Sequence, residues 1–220
     1  RVQSVRGAAG LTAGQELCAG TELRLASDAT ASLLWNGATL RLDGGTRLRL
    51  DGPNLATMQS GAVYYADERA GAGATLRTPF GDVRDVGTRF ELRLRDDALR
   101  VRVRDGAVAV RGTIAKQGSE LVATRDAIEQ HGISVAGDDW TWIERAAPPL
   151  LLEGKTLEAV LSDVAHEKGL TLEWSDAHAR TVRLHGDVPL TASEALDAAT
   201  AAAGVTYRID GQRLRIGRRS

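Results

Sequence analysis

The chain of 220 residues contains one cysteine, Cys18, and aromatic side chains make up only 4% of it. A lone cysteine excludes an intrachain disulfide. Cys18, in GQELCAGTEL, is expected to be a small strand hydrophobe. The four histidines, His131, His166, His178 and His185, show no i,i+3 or i,i+4 pairing, so the ligand spacing of a zinc site is missing. No run approaches the roughly 18 apolar residues needed to span a membrane, and no signal peptide is visible. Because it begins at Arg1, the chain is expected to be a piece of a longer or processed protein. An excess of either charge is also lacking. Residues 1–145 carry 19 basic and 19 acidic groups, and residues 146–220 carry 9 and 10. An electrostatic nucleic-acid binder should be basic, so that class is disfavoured.

What is present is the balance of a folded protein, 43% apolar and 26% charged, long enough for two modest domains. From Leu11 to about Ile133 the chain is written as short alternating segments: TELRLAS, ATASLLWNG, ATLRLDGG, TRLRLDG, RFELRLRDD, LRVRVRDG and AVAVRG. Period-2 alternation between glycine turns predicts antiparallel, half-buried strands. Residues 1–145 are therefore expected to form an all-β N-terminal domain, a sandwich or a wrapped β roll. Within GDDWTWIERAAPPL the Pro148-Pro149 pair cannot sit inside a central strand or a helix interior, and the boundary is placed at 145/146.

Residues 146–220 follow another pattern. LLLEG reads as a strand, and TLEAVLSDVAHEKG as a helix with Leu157, Val160, Leu161 and Val164 on one face. Thr156 is its N-cap and Gly169 its C′ residue. LTLEW and TVRLHGDV are strands. LTASEALDAATAAAG opens with a capping box, Thr191 and Glu194, and buries Leu196, Ala199 and Ala203. VTYRID and RLRIGR form a hairpin around Asp210-Gly211. The predicted order is β-α-β-β-α-β-β, a small α+β C-terminal domain.

Chemical motifs are few. EGKT at Glu153–Thr156 occupies the place of a P-loop end, but the loop needs a glycine where Pro149 stands. GAGAT at Gly71–Thr75 opens no helix that could aim a dipole at an anion. Asp138 and Asp139 are adjacent and point apart on an extended chain. No serine lies in a G-x-S-x-G setting. The chain is expected to be no enzyme, with no cofactor, no metal and no small-molecule substrate.

In TPFGDVRDVGTRFELRLRDDALRVRVRDGAVAV, Phe90, Leu92, Leu94, Leu99, Val101 and Val103 fall on one face. Arg89, Glu91, Arg93, Arg95, Arg100, Arg102 and Arg104 fall on the other. A hairpin places Glu91 opposite Arg102, a favourable pair, and Arg93 opposite Arg100, an unfavourable one. Gly81, Gly87 and Gly106 mark corners between strands. The arginine side is expected to be a solvated face neutralised by Asp82, Asp96, Asp97 and Asp105, with an anionic partner surface as the alternative.

GDVRDVGTRFEL followed by LRVRVRDGAVAV resembles the hallmark of the FecR family, the periplasmic part of bacterial transmembrane regulators. The matching residues are Gly81, Val83, Gly87, Thr88, Phe90 and Leu92, then Val101, Val103, Gly106, Val108 and Val110. Leu92 stands where the family has valine. The last 70 or so residues are similar to the short N-terminal domain of secretins and TonB-dependent receptors. That likeness rests on LEGKTLEAVLSDVAHEKGLTLEW and VRLHGDVPLTASEALDAATAAAGVTYRIDGQRLRI.

The resemblance implies a periplasmic region whose parent is anchored upstream in the inner membrane and bound to an extracytoplasmic-function sigma factor. It would receive the signalling domain of a TonB-dependent outer-membrane transporter. Strand addition at an exposed edge is the expected binding mode, with Leu170–Trp174 or Arg213–Arg218 as the edge. The candidate partner-binding residues are Trp140, Trp142, Leu170, Leu172, Trp174, Leu214 and Ile216. The tryptophan pair, two apart on an extended segment, serves either as glue between the domains or as an anchor for a partner. A rival reading is an envelope module that binds glycan or peptidoglycan through Trp35, Tyr64 and Tyr65.

Overall fold

Gly61 organises the first half of the chain. In the computed structural model, which describes residues 1–8, 10–67, 69, 73–175 and 178–218, a long strand passes through this glycine from one sheet layer into another. The chain divides into two compact units, Arg1–Val135 and Ala136–Ser220, so the division falls ahead of the Pro-Pro pair.

The described residues of the first unit contain fourteen strands and no helix. They begin with β1 (Val2–Arg6), β2 (Glu22–Arg24), β3 (Thr30–Trp35), β4 (Ala38–Leu42), β5 (Arg47–Gly52), β6 (Leu55–Ala66) and β7 (Thr75–Thr78). They continue with β8 (Gly81–Asp85), β9 (Arg89–Leu94), β10 (Leu99–Asp105), β11 (Ala107–Val110), β12 (Thr113–Lys116), β13 (Ser119–Ala123) and β14 (Ile128–Gly132). One layer runs β1-β3-β4-β6-β9-β10-β13-β14 and the other β2-β5-β6-β7-β8-β11-β12. β6 belongs to both. Its first half pairs with β5 and β7, its second half with β4 and β9. The change of partners occurs at Gly61, at φ 89°. Buried Thr46 locks it, donating from Oγ1 to Ala62 O (2.9 Å) and accepting from Ala62 N (3.0 Å).

The alternation seen in the sequence sets the burial. Leu33, Leu40, Phe90, Leu92, Val101 and Val103 from one layer meet Leu48, Met58, Leu76, Val83 and Val108 from the other in a single core. Pairing is antiparallel throughout this unit except between β6 and β7, which run parallel. The β9–β10 register places Glu91 opposite Arg102 and Arg93 opposite Arg100, as the alternation predicts.

The second unit starts with a 3-10 turn (Asp138–Trp140) that runs into α1 (Thr141–Ala146). The segment read as extended is thus helical, and the two tryptophans do not alternate along a strand. Asp138, Asp139 and Glu144 lie in the first turns of these elements, where acidic groups suit helix N-termini. α2 (Leu157–Lys168) has Thr156 as its N-cap and Gly169 in the left-handed region as its C-cap. Next come β15 (Thr171–Trp174), a 3-10 turn (His178–Thr181) and α3 (Ala192–Ala202), whose capping box of Thr191 and Glu194 is formed. β16 (Val205–Asp210) and β17 (Arg213–Arg218) close the unit.

The α2 stripe of Leu157, Val160, Leu161 and Val164 packs with Leu196 and Ala199 of α3 and with Leu214 and Ile216 of β17. Two predicted strands shrink. LLLEG and TVRLHGDV form no regular strands; the stretches around them meet through two isolated bridges, Leu150 with Leu190 and Thr156 with Arg183, and a few backbone bonds such as Gly154 N to Leu184 O (3.1 Å). Gly154 and Gly186, both at positive φ, and Pro189 break the extended runs. The hairpin turn is Gly211-Gln212, since Asp210 pairs with Arg213, one residue later than Asp210-Gly211.

Candidate functional site

The three-stranded sheet of the second unit has the order β15-β17-β16. This corrects one expectation: Arg213–Arg218 is the central strand, bonded on both sides, and presents no edge. Leu214 and Ile216 are buried beneath it. Two edges remain, β15 and β16.

β15 pairs parallel with β17. Thr171 N donates to Gln212 O (2.7 Å) and Ser175 N to Ile216 O (2.9 Å). Backbone direction alternates in such a ladder, so the N–H and C=O groups of Leu172 and Trp174 point outward. Their side chains are committed elsewhere, because Leu170, Leu172 and Trp174 all pack against the unit's core. The Arg180 guanidinium also lies over the Trp174 ring at 5.4 Å.

β16 is more open. Its two-residue turn makes Asp210 and Arg213 the closing hydrogen-bonded pair. Counting back along the ladder, Arg208 and Thr206 also bond to β17, while Val205, Tyr207 and Ile209 turn their backbone groups away from the sheet. Tyr207 is 39% exposed and Ile209 45% exposed. The Tyr207 hydroxyl donates to Asp197 Oδ1 (2.8 Å); this bond, ahead of partial burial, raises the phenol above its ordinary range. The sheet face opposite the helices is charged instead. Glu173 pairs with Arg213 (3.4 Å) and Arg215 (3.0 Å), and Arg215 with Asp210 (3.3 Å).

Beside Ile209 opens a cleft of about 220 Å³, lined among others by Leu170, Asp138, Glu144, Lys168 and Gly211. A polar latch forms one wall. Lys168 Nζ bonds Glu144 Oε1 (2.9 Å) and Ser193 Oγ (2.8 Å), and Ser193 Oγ donates to Glu144 Oε2 (3.0 Å). It ties α1 to the end of α2 and the start of α3.

The other sequence candidates fall elsewhere. Trp140 and Trp142 are buried, so neither ring is an exposed anchor. Trp35, Tyr64 and Tyr65 are buried as well. Trp35 Nε1 donates to Gly52 O (3.0 Å) and Tyr65 OH to Asp67 Oδ2 (3.2 Å). No ring among them offers an open face on which a sugar could stack, which removes the structural basis of the glycan reading.

The signature residues build a corner. Gly81, Gly87 and Gly106 all have positive φ. A Cβ on Gly106 would meet Thr88 Cγ2 at 2.6 Å and Gly87 O closer still. Buried Thr88 donates its hydroxyl to Asp85, and Phe90 packs at 5.2 Å from the Tyr65 ring. Their role is to hold strands together. Of Gly71–Thr75, Gly71 and Ala72 lie outside the described residues.

The arginine face of β9 and β10 also differs from expectation. It is only partly solvated: Arg93 is 25% and Arg100 26% exposed. Glu91 is 1% exposed, and Arg93 Nε (3.0 Å) and Arg100 Nη2 (3.2 Å) both bond its Oε1. Arg93 reaches on to Asp43 (3.1 Å), while Glu120 takes Arg102 (2.5 Å) and Arg100 (3.7 Å). Of the acids predicted to neutralise this face, Asp105 does pair, with Arg89 (3.4 Å). Elsewhere Glu91, Asp43 and Glu120 serve. The unfavourable Arg93–Arg100 pair becomes tolerable because one carboxylate sits between its members.

The β16 edge escaped the sequence reading because strand order is not encoded locally. The exposed alternation of Tyr207 and Ile209 in VTYRID was its one visible trace.

Comparison with known proteins adds a family. Residues 19–109 match the model of the family described as FecR protein. Two crystal structures of a "putative anti-sigma factor" from Parabacteroides distasonis ATCC 8503, at 1.65 and 2.50 Å, are similar in course. Each is 16% identical and covers 91% of this chain; 100% and 99% of those chains are covered, at TM-scores of 0.46 and 0.47. Likeness at that level carries no argument about function. No curated protein matches this chain.

Proposed function

We infer, from a chain whose residues 19–109 match the FecR family model, that it is the signal-receiving region of a FecR-like regulator. FecR proteins are membrane-anchored regulators with a periplasmic region, and no helix among the described residues is long and apolar enough to cross a membrane. In this reading the chain is a binding module without a reactive centre. Its partner is the signalling domain of a TonB-dependent outer-membrane transporter, and a parent protein holds an extracytoplasmic-function sigma factor at the other end. The second unit plays the part of a secretin/TonB short N-terminal domain.

The observation that carries the mechanism is the open β16 edge. The outward amides and carbonyls of Tyr207 and Ile209 offer main-chain bonds to an added strand, and their half-exposed side chains supply the apolar contact. β15 is a weaker choice, since changing Leu170 or Leu172 would disturb the core.

Ile209→Pro tests this. The Ile209 N–H faces away from β17, so proline there removes no ladder bond, a placement that edge strands tolerate. It does remove a donor that an incoming strand needs. Isothermal titration of the intact chain against the signalling domain of the co-encoded transporter should give a complex with the parent chain. Ile209→Pro should abolish or strongly weaken it at unchanged circular dichroism. Equal binding by a folded Ile209→Pro chain rules out the edge; absence of heat and of any complex for the parent chain rules out the partner.

A further inference from the structure

The outward face of the second sheet layer of the first unit carries a charge excess that the chain as a whole lacks. The residues pointing away from the core on β2, β5, β7, β8 and β12 include Arg24, Arg47, Arg49, Arg77, Arg84 and Lys116, all exposed. The acidic groups on that face are Glu22, Asp51 and Asp82. Glu22 is taken by Arg24 (2.9 Å), and Asp51 by Arg49 (2.5 Å) and the Thr57 hydroxyl (2.5 Å). Asp82 stands opposite Arg77 in register. Six cations against three anions leave a net +3 on this face, in a chain whose total is −1. At about 4.8 Å per strand, the six steps from β2 to β12 spread these charges over roughly 29 Å.

Two further features lie on the same face. Val86 is 62% exposed and Ile114 57% exposed. They stand among the cations: Ile114 and Arg84 both pair with Ala109, while Lys116 pairs with Ala107, whose carbonyl accepts from Val86 N. A shallow cleft of about 250 Å³, lined by Asp82, Arg84, Ala109, Arg111 and Gly112, opens beside them. The Arg111 guanidinium at its rim is held by the Thr124 carbonyl (2.8 Å).

We propose that this face rests on an anionic phospholipid bilayer, with Arg47, Arg77, Arg84 and Lys116 among the phosphate headgroups and Val86 and Ile114 dipping into the interface. The net charge selects an anionic surface. Exposed aliphatic side chains set among cations favour a bilayer over an acidic polypeptide, because only the bilayer offers an apolar layer beneath its charges. Such contact would fix how the first unit stands on the membrane. The proposal is independent of the β16 edge, which lies in the other unit.

Cosedimentation of the intact chain with vesicles tests it. Binding to phosphatidylglycerol mixed with phosphatidylcholine, none to phosphatidylcholine alone, and a fall as salt rises are expected. The triple variant Arg47→Gln, Arg77→Gln, Arg84→Gln should lose roughly 100-fold in partitioning, since each cation near an anionic leaflet contributes about five-fold. Ile114→Ser should weaken binding while leaving its salt dependence in place. Circular dichroism confirms that these exposed changes leave the fold intact. Ile209→Pro should bind vesicles like the parent. No partitioning of the parent chain, equal partitioning of the folded triple variant, or equally tight, Ile114-independent binding to polyglutamate overturns the proposal.

Discussion

Replacing Gly61 by alanine separates two costs that usually come together. Gly61 and Gly112 have nearly the same φ, 89° and 87°, so an alanine at either pays a comparable positive-φ penalty, about 1–2 kcal/mol. Gain from a stiffer unfolded chain is also common to both. Their surroundings differ. A Cβ at Gly112 meets nothing within 4 Å, whereas one at Gly61 would sit 2.7 Å from Thr46 N and closer to Thr46 Cα. Backbone cannot swing aside as a side chain can. The Thr46 hydroxyl must also keep both its bonds to Ala62, or leave a buried polar group unsatisfied. Overpacking of this kind costs about 1–3 kcal/mol beyond the strain. Gly61→Ala should therefore destabilise the first unit by at least about 1 kcal/mol more than Gly112→Ala. Urea unfolding, with the first unit followed by hydrogen exchange of β6 and β9 amides, measures the difference. Equal losses would mean that β6 does not depend on the close approach of Thr46, and the account of the bend would fail.

Glu91→Gln should cost roughly 1.5–3 kcal/mol, the range for a hydrogen bond to a charged group, because Arg93 keeps Asp43 and Arg100 keeps Glu120 but both lose the buried carboxylate they share; the same unfolding measurement checks it, and a change under about 1 kcal/mol would return the pair to surface status. Asp67 titrates below the ordinary carboxylate range, chiefly through hydrogen bonds from Arg69. A depressed folded value means its contribution is present above the unfolded pKa and is lost as pH falls through the folded one. Arg69→Gln should thus shift the Asp67 carboxyl titration, followed by NMR, to higher pH and bring the acid loss of stability earlier.

The first unit was legible in outline because its strands obey a local rule. Phe90, Leu92, Val101 and Val103 alternate with charges, and one face of each strand is buried; even the register of Glu91 and Arg102 follows from the turn length. β6 went unread because ATMQSGA mixes small and polar residues, a consequence of its lying in two layers and turning at Gly61. Burial of Glu91 was equally hidden: alternation marks which side faces away from the core, not whether that side is wet. The helix caps Thr156 and Thr191 were legible since a cap acts within four residues. The 3-10 turn holding Trp140 and the short helix holding Trp142 were not, since two aromatics two residues apart look the same over one helical turn as along a strand.

Strand order decides where the second unit can bind, and edges in the two units are treated differently. β14, which ends one layer of the first unit, exposes Glu129, Gln130, His131 and Gly132, polar groups that discourage another strand from joining. β16 also carries charge, at Arg208 and Asp210, but on the residues whose backbone is already bonded to β17. Of the residues whose backbone faces outward, Val205 is buried, while Tyr207 and Ile209 present an aromatic ring and an aliphatic side chain to solvent. An unprotected edge with apolar side chains beside its open amides invites aggregation. Polar substitutes at two surface positions would have removed the hazard at little cost to the core. In the proposed reading, a strand that arrives from outside covers this edge.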